Sequence, residues 1–123
     1  MNRTPSRFFT GLSALLGIVM IGGGTMKLVG QASQVAAFTA WGLPGWFRAL
    51  VGTFEVTGGL LLLVPTTTPA GSLILATIMV GALWAHAANG EWPALVPVVA
   101  LLALFLTIFN RNRARVVHLL GGA

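Results

Sequence analysis

Gly52-Thr-Phe-Glu-Val-Thr-Gly-Gly-Leu-Leu-Leu-Leu-Val-Pro65 is an apolar run with a carboxylate inside it, Glu55. It has the length and hydropathy of a membrane-spanning helix. A carboxylate at such a depth costs several kcal/mol unless it is paired, protonated or faces water. The chain around it therefore reads as a shell that must meet this cost. Of its 123 residues, 56% are hydrophobic and only 7% are charged, where a soluble domain carries about 25%. So little charge points to lipid as the solvent and, at this length, to one domain.

Working outward, the apolar runs predict four spans: Phe8 to Leu28, Trp46 to Val64, Ala70 to Asn89 and Pro93 to Phe109. The first, at 1.5 Å per residue, covers about 30 Å, one hydrocarbon thickness. A basic start and an apolar centre also fit a signal peptide there. Three further spans make a signal anchor the better reading. Val29 to Trp46 is too polar to cross, because Gln31, Ser33 and Gln34 interrupt it. Val35, Phe38 and Trp41 then recur at helical spacing, which predicts a short interfacial helix between spans 1 and 2. Gly42 stops it, and Pro44 suits the next helix start. Pro65 to Pro69 and Gly90 to Pro93 read as turns. The predicted fold is an all-α integral membrane four-helix bundle, with basic tails at 1–7 and 110–123. Val116, Val117, Leu119 and Leu120 suit the second tail to the membrane surface.

The formal net charge of +5 is distributed in a way that excludes a nucleic-acid interface. Arg3 and Arg7 precede the first span; Arg111, Arg113 and Arg115 follow the last. Charge at these boundaries orients helices and meets anionic headgroups. Four spans put both termini on one side, and arginine-rich ends predict the cytoplasmic side of a plasma membrane. Lys27 and Arg48 are exceptions at the outer boundary, where Trp41, Trp46 and Trp92 mark the water–lipid edge. The chain has no cysteine. Disulfides, thiol relays and thiolate metal sites within it are thereby excluded.

Three polar residues fall in the outer half of the spans. Glu55 lies roughly 13 Å below Trp46, His86 roughly 5 Å inside its helix end, and Lys27 at the end of its helix. Each sits on a stripe of small or flexible residues: Gly17, Met20, Gly24 and Lys27; Gly52, Glu55 and Gly59; Met79, Ala82, His86 and Asn89. Small residues let membrane helices approach closely, so these faces should meet and gather Lys27, Glu55 and His86. Ionisable groups in spans commonly mark ligand sites or proton relays; they also fix helix register. The expected binding residues are Lys27, Glu55 and His86, with Met20, Phe54, Met79 and Trp84 as apolar walls. The uncharged fourth span reads as a lipid-facing buttress. Asn89 and Glu91 read as caps of a helix end and turn, and His118 as a solvated tail residue. Two histidines at one depth, which haem ligation needs, are missing. There is no nucleophile–base pair, phosphate loop or metal cluster, so catalysis by the chain alone has little support.

The segments Phe38-Thr-Ala-Trp-Gly-Leu-Pro-Gly-Trp-Phe47, Val51-Gly-Thr-Phe-Glu-Val-Thr-Gly-Gly-Leu-Leu-Leu-Leu-Val-Pro65, Ile78-Met-Val-Gly-Ala82 with His86, and Gly24-Thr-Met-Lys-Leu28 resemble the DoxX-like family of small bacterial membrane proteins. The resemblance covers nearly all four spans and implies a four-helix inner-membrane protein, with Lys27, Glu55 and His86 at polar positions of the family pattern. It also implies an association with thiosulfate:quinone oxidoreduction, with complexes handling oxidative stress, or with membrane partners. A chain without cysteine cannot itself run thiol chemistry. The expected function is a module that binds a lipophilic small molecule, a quinone or a lipid, in the inner membrane. Its alternatives are a non-catalytic anchor or accessory subunit of an oxidoreductase complex, whose polar residues are only structural, and a subunit passing electrons from a cofactor on another chain. Membrane lipids, a membrane or cytoplasmic protein and a second copy of the chain are its candidate partners.

Overall fold

In the computed structural model the described residues are 7–121, with side chains described for 7–113. All regular structure in them is helical: α1 (Arg7–Leu28), α2 (Ala32–Ala40), α3 (Gly45–Leu63), α4 (Thr68–Ala88), a 3₁₀ turn (Trp92–Ala94) and α5 (Leu95–Gly121). α1, α3, α4 and the stretch Trp92–Arg113 are long and apolar enough to cross a membrane. The expected short helix is α2. Gln31, one of the residues that interrupt the apolar pattern, caps it by accepting from the Ser33 and Gln34 backbone N–H groups at 3.0 and 3.3 Å.

Helix ends leave backbone carbonyls without partners within the helix. Threonines bond them between α3 and α4. The Thr67 hydroxyl donates to the Leu61 carbonyl at 2.8 Å, and that of Thr68 to Leu62 and Val64 at 3.2 and 3.0 Å. α5 runs further than the fourth span was expected to. Asn110 to Arg113 change the solvent the helix meets but break none of its backbone bonds, and Asn112 donates to the Ile108 carbonyl at 2.7 Å. The helix therefore continues to Gly121. The expected surface contacts of Val116, Val117, Leu119 and Leu120 lie outside the described side chains.

α3 is the central helix, packed between α1 and α4, with α5 against α4. Glycines on two of its faces make this possible. A Cβ built on Gly17 would lie 2.7 Å from the Gly59 carbonyl oxygen, and one on Gly59 the same distance from that of Gly17. Gly24 and Gly52 repeat the arrangement at 2.6 and 2.8 Å. The glycines recur every seven residues on both helices, so one antiparallel seam runs through both contacts. On the other face, a Cβ on Gly71 of α4 would meet the Gly58 carbonyl at 2.6 Å. The core is filled by Leu16 and Met20 of α1, Leu62 of α3, Leu75, Ala76 and Met79 of α4, and Val98, Phe105 and Ile108 of α5. The fourth span is thus more than a buttress. It presents Val96, Val99 and Leu106 outward, yet it supplies two fully buried large side chains, Phe105 and Ile108.

The seam predicts opposite outcomes for neighbouring glycines. Alanine favours a helix interior over glycine by roughly 1 kcal/mol. At Gly22 nothing lies within 4 Å of the new methyl, so Gly22→Ala should leave the melting temperature in detergent unchanged or raise it. Gly24→Ala must force α1 from α3 and should destabilise by about 1–3 kcal/mol. Equal melting of the two variants would show that the seam is not tight.

Candidate functional site

The glycine seam delivers the two charged residues to each other. A Cβ on Gly24 would lie 2.9 Å from the Glu55 Cβ, and a Cβ on Gly52 the same distance from the Lys27 Cβ. Each charged residue thus leaves its helix directly against the other helix's glycine. From there Lys27 Nζ donates to Glu55 Oε1 at 3.1 Å. Glu55 is buried, its side chain 6% exposed; that of Lys27 is 15% exposed. Arg48, in the first turn of α3, donates from Nε to the Lys27 carbonyl at 2.9 Å. A cation there adds a second donor to a carbonyl that also accepts from the Gly30 N–H and suits the negative end of the α1 dipole.

The pair is incomplete. Among the described residues Glu55 Oε2 has no hydrogen-bond partner, and the Lys27 ammonium has a single acceptor. A carboxylate can accept at both oxygens, and an ammonium can donate three times. The pair thus presents an acceptor and spare donors side by side, in surroundings where an unmade hydrogen bond is costly.

His86 was expected to join this pair and is bonded elsewhere. Its Nδ1 lies 2.8 Å from Glu91 Oε1, and the same oxygen accepts from Trp41 Nε1 at 3.0 Å. The Trp41 and His86 rings meet edge to face, centroids 5.1 Å apart. Local backbone geometry explains the contact. Gly90, at φ +71°, closes α4 with bonds from its own N–H to the Ala87 carbonyl and from the Glu91 N–H to the His86 carbonyl. This glycine-terminated motif folds the chain back over the last turn, which sets the Glu91 carboxylate beside the His86 ring. Hydrogen bonds from His86 first and Trp41 second hold the Glu91 carboxyl below the usual carboxylate range. It is therefore ionised at neutral pH, and it ties α2 to the end of α4.

The four expected apolar walls divide. Met20 and Met79 are buried in the core, each 5% exposed. Phe54 and Trp84 are 44% and 67% exposed and face outward. They do not line a space between helices, because their positions on α3 and α4 lie off the glycine and core faces. Trp46 and Trp92 are exposed, as a boundary belt requires, while Trp41 is turned inward to Glu91. Asn89 caps its helix end as expected, donating to the Ala85 carbonyl at 2.7 Å. His118 lies outside the described side chains. Among the described residues no three His, Cys, Asp or Glu side chains gather as a metal site. The tie of Trp41, His86 and Glu91 was missed by sequence reasoning. Its signal is present in the chain: Glu91 follows a helix-ending Gly90 and stands five residues after His86.

A family model described as the DoxX-like family matches residues 11–108. Searches of curated proteins and of solved structures returned no match.

The buried pair predicts strong coupling. Removing one member of a buried ion pair typically costs about 3–5 kcal/mol, because the other charge is left alone. Lys27→Met should lower the melting temperature in detergent more than Lys27→Met combined with Glu55→Gln. Additive losses in the double-mutant cycle would mean that the two side chains do not interact in the folded protein.

Proposed function

The chain belongs to the DoxX-like family, and from that premise we propose that it is a non-catalytic binding module of the bacterial inner membrane. Its ligand is a lipophilic small molecule, a quinone or a lipid, whose polar headgroup meets Lys27 and Glu55. The observation that carries this reading is the open valence of the buried pair. Glu55 has one oxygen bonded and one without a partner among the described residues, inside a bundle with four helices apolar enough to span. A headgroup that supplied the missing bond would offset the cost of leaving that oxygen unbonded.

The reading of the pair as a register device has less to support it. Register between α1 and α3 is already fixed by the reciprocal contacts of Gly17 with Gly59 and Gly24 with Gly52. His86 belongs to the tie with Glu91 and Trp41 in this reading, not to the headgroup site. The site sits toward the α2 end of the bundle. The arginines near both termini support an outer position for that end under the positive-inside rule. A cytoplasm-active reporter fused after Ala123 should then be active, and one inserted in 33–38 inactive; the reverse pattern would put the site on the cytoplasmic side.

Native mass spectrometry of the protein purified in mild detergent tests the binding itself. The wild type should carry an amphiphile adduct. Glu55→Gln should lose it, with occupancy reduced about tenfold or more while helicity is retained; the lysine left alone lowers its melting temperature. No adduct on either protein, with a stoichiometric protein partner in its place, would favour the accessory-subunit reading.

A further inference from the structure

α1 carries three consecutive glycines, Gly22, Gly23 and Gly24, and the structure gives each a different environment. Gly24 is buried against α3. A Cβ on Gly22 would meet nothing within 4 Å. A Cβ on Gly23 would meet one atom only, Glu55 Oε1, at 3.5 Å. The α1 surface beside the buried carboxylate is thus bare of side chains, and Gly23 is partly exposed. The side-chain atom that this bare surface meets is Glu55 Oε1, the oxygen that Lys27 also meets.

The carboxylate that this bare surface meets is an acceptor with one oxygen unpartnered among the described residues, and beside it stands an ammonium with donors to spare. The complement of such a pair is a group that donates and accepts from one atom. A hydroxyl does so: its proton goes to the Glu55 carboxylate, whose oxygens keep lone pairs beyond the one that Lys27 takes, and its own oxygen receives a Lys27 N–H. A carbonyl only accepts. It would satisfy Lys27 and leave the Glu55 oxygen bare in an apolar surrounding, where an unsatisfied acceptor is costly.

We propose that the module selects amphiphiles whose headgroup bears a hydroxyl donor, and that they enter laterally from the bilayer past the bare surface at Gly22 and Gly23. This rests on the binding function proposed above and specifies its ligand. A long-chain alcohol, a phenol or the reduced, dihydroxy form of a quinone fits; the oxidised quinone, with carbonyls alone, does not. The geometry also separates the roles of the three glycines. Gly24 brings the helices together, while Gly22 and Gly23 leave the carboxylate reachable from one side.

The test uses a matched pair of probes, para-nonylphenol and its methyl ether para-nonylanisole, titrated against the full chain in detergent and followed by thermal shift. The Glu55→Gln protein gives the baseline for partition into micelles. The phenol should bind at least about tenfold more tightly than the ether. Equal binding of the two, abolished by Glu55→Gln, would overturn the donor requirement and leave the binding function standing. No shift with either probe would overturn both. Gly23→Leu covers the bare surface and should abolish the phenol shift, whereas Gly11→Leu, at another open position of α1, should not. A Gly23→Leu protein that binds phenol like the wild type would overturn lateral entry. If Gly23→Leu does not fold, the comparison of phenol with ether on the wild type still decides the headgroup.

Discussion

A carboxylate cannot stay within an apolar bundle without a partner, and the structure around Glu55 follows from that constraint. Lys27 answers the charge, and its ammonium must come within hydrogen-bond distance, 3.1 Å. The burial of the pair goes with a close approach of α1 and α3. Gly17, Gly24, Gly52 and Gly59 bring no side chains to that contact. Close packing and charge pairing are therefore one device. The glycines let the Lys27 and Glu55 Cβ atoms lie against the facing backbone, which keeps the pair buried between the helices.

The same logic explains why α3 is central. It carries Glu55 and Gly52 toward α1, and Gly58 toward α4. A helix with glycines on two faces lets both neighbours approach, so α1 and α4 are held by one backbone. α5 has no such face and contacts the bundle through bulk instead, with Phe105 and Ile108 fully buried. Two packing chemistries thus divide the molecule: backbone-to-backbone where charge must be sheltered, and side-chain interdigitation where only volume must be filled.

Much of this was legible in the chain. Four apolar runs gave the spans, and the spacing of Gly17, Gly24 and Lys27 against Gly52, Glu55 and Gly59 gave the facing stripes, because period identifies a helix face. Period does not say which neighbour a face meets. His86 shares its stripe with Met79, and the stripe is buried at Met79, but His86 stands in the last turn, where the returning chain competes for it. The reversal at Gly90 brings Glu91 to His86 before Glu55 can reach it. Phe54 and Trp84 escaped for a related reason. Aromatic residues suit both a ligand wall and a lipid-facing surface, and in a membrane protein hydrophobicity alone does not separate the two. α5 continues beyond Phe109, where the apolar run ends. Polarity marks the solvent, whereas a helix ends where its backbone bonds do.

The chain has two acidic residues, and their environments assign them different work. Glu91 concentrates its bonds: His86 and Trp41 both meet Oε1, near the surface where water can solvate the rest of the carboxylate. Such a tie needs nothing further, and it anchors α2 at the end of the bundle that holds Lys27 and Glu55. Glu55 is bonded once, and burial denies it water for the remaining oxygen. A tie that needed only to hold two helices would be cheaper at the surface or with a neutral side chain. Burying a full charge with an open valence, beside a bare stretch of α1 at Gly22 and Gly23, makes physical sense when something from the bilayer completes it. The exposed acid is the fastening; under the proposed binding function the buried acid is the receptor, and the glycine run on α1 would serve it by leaving it within reach.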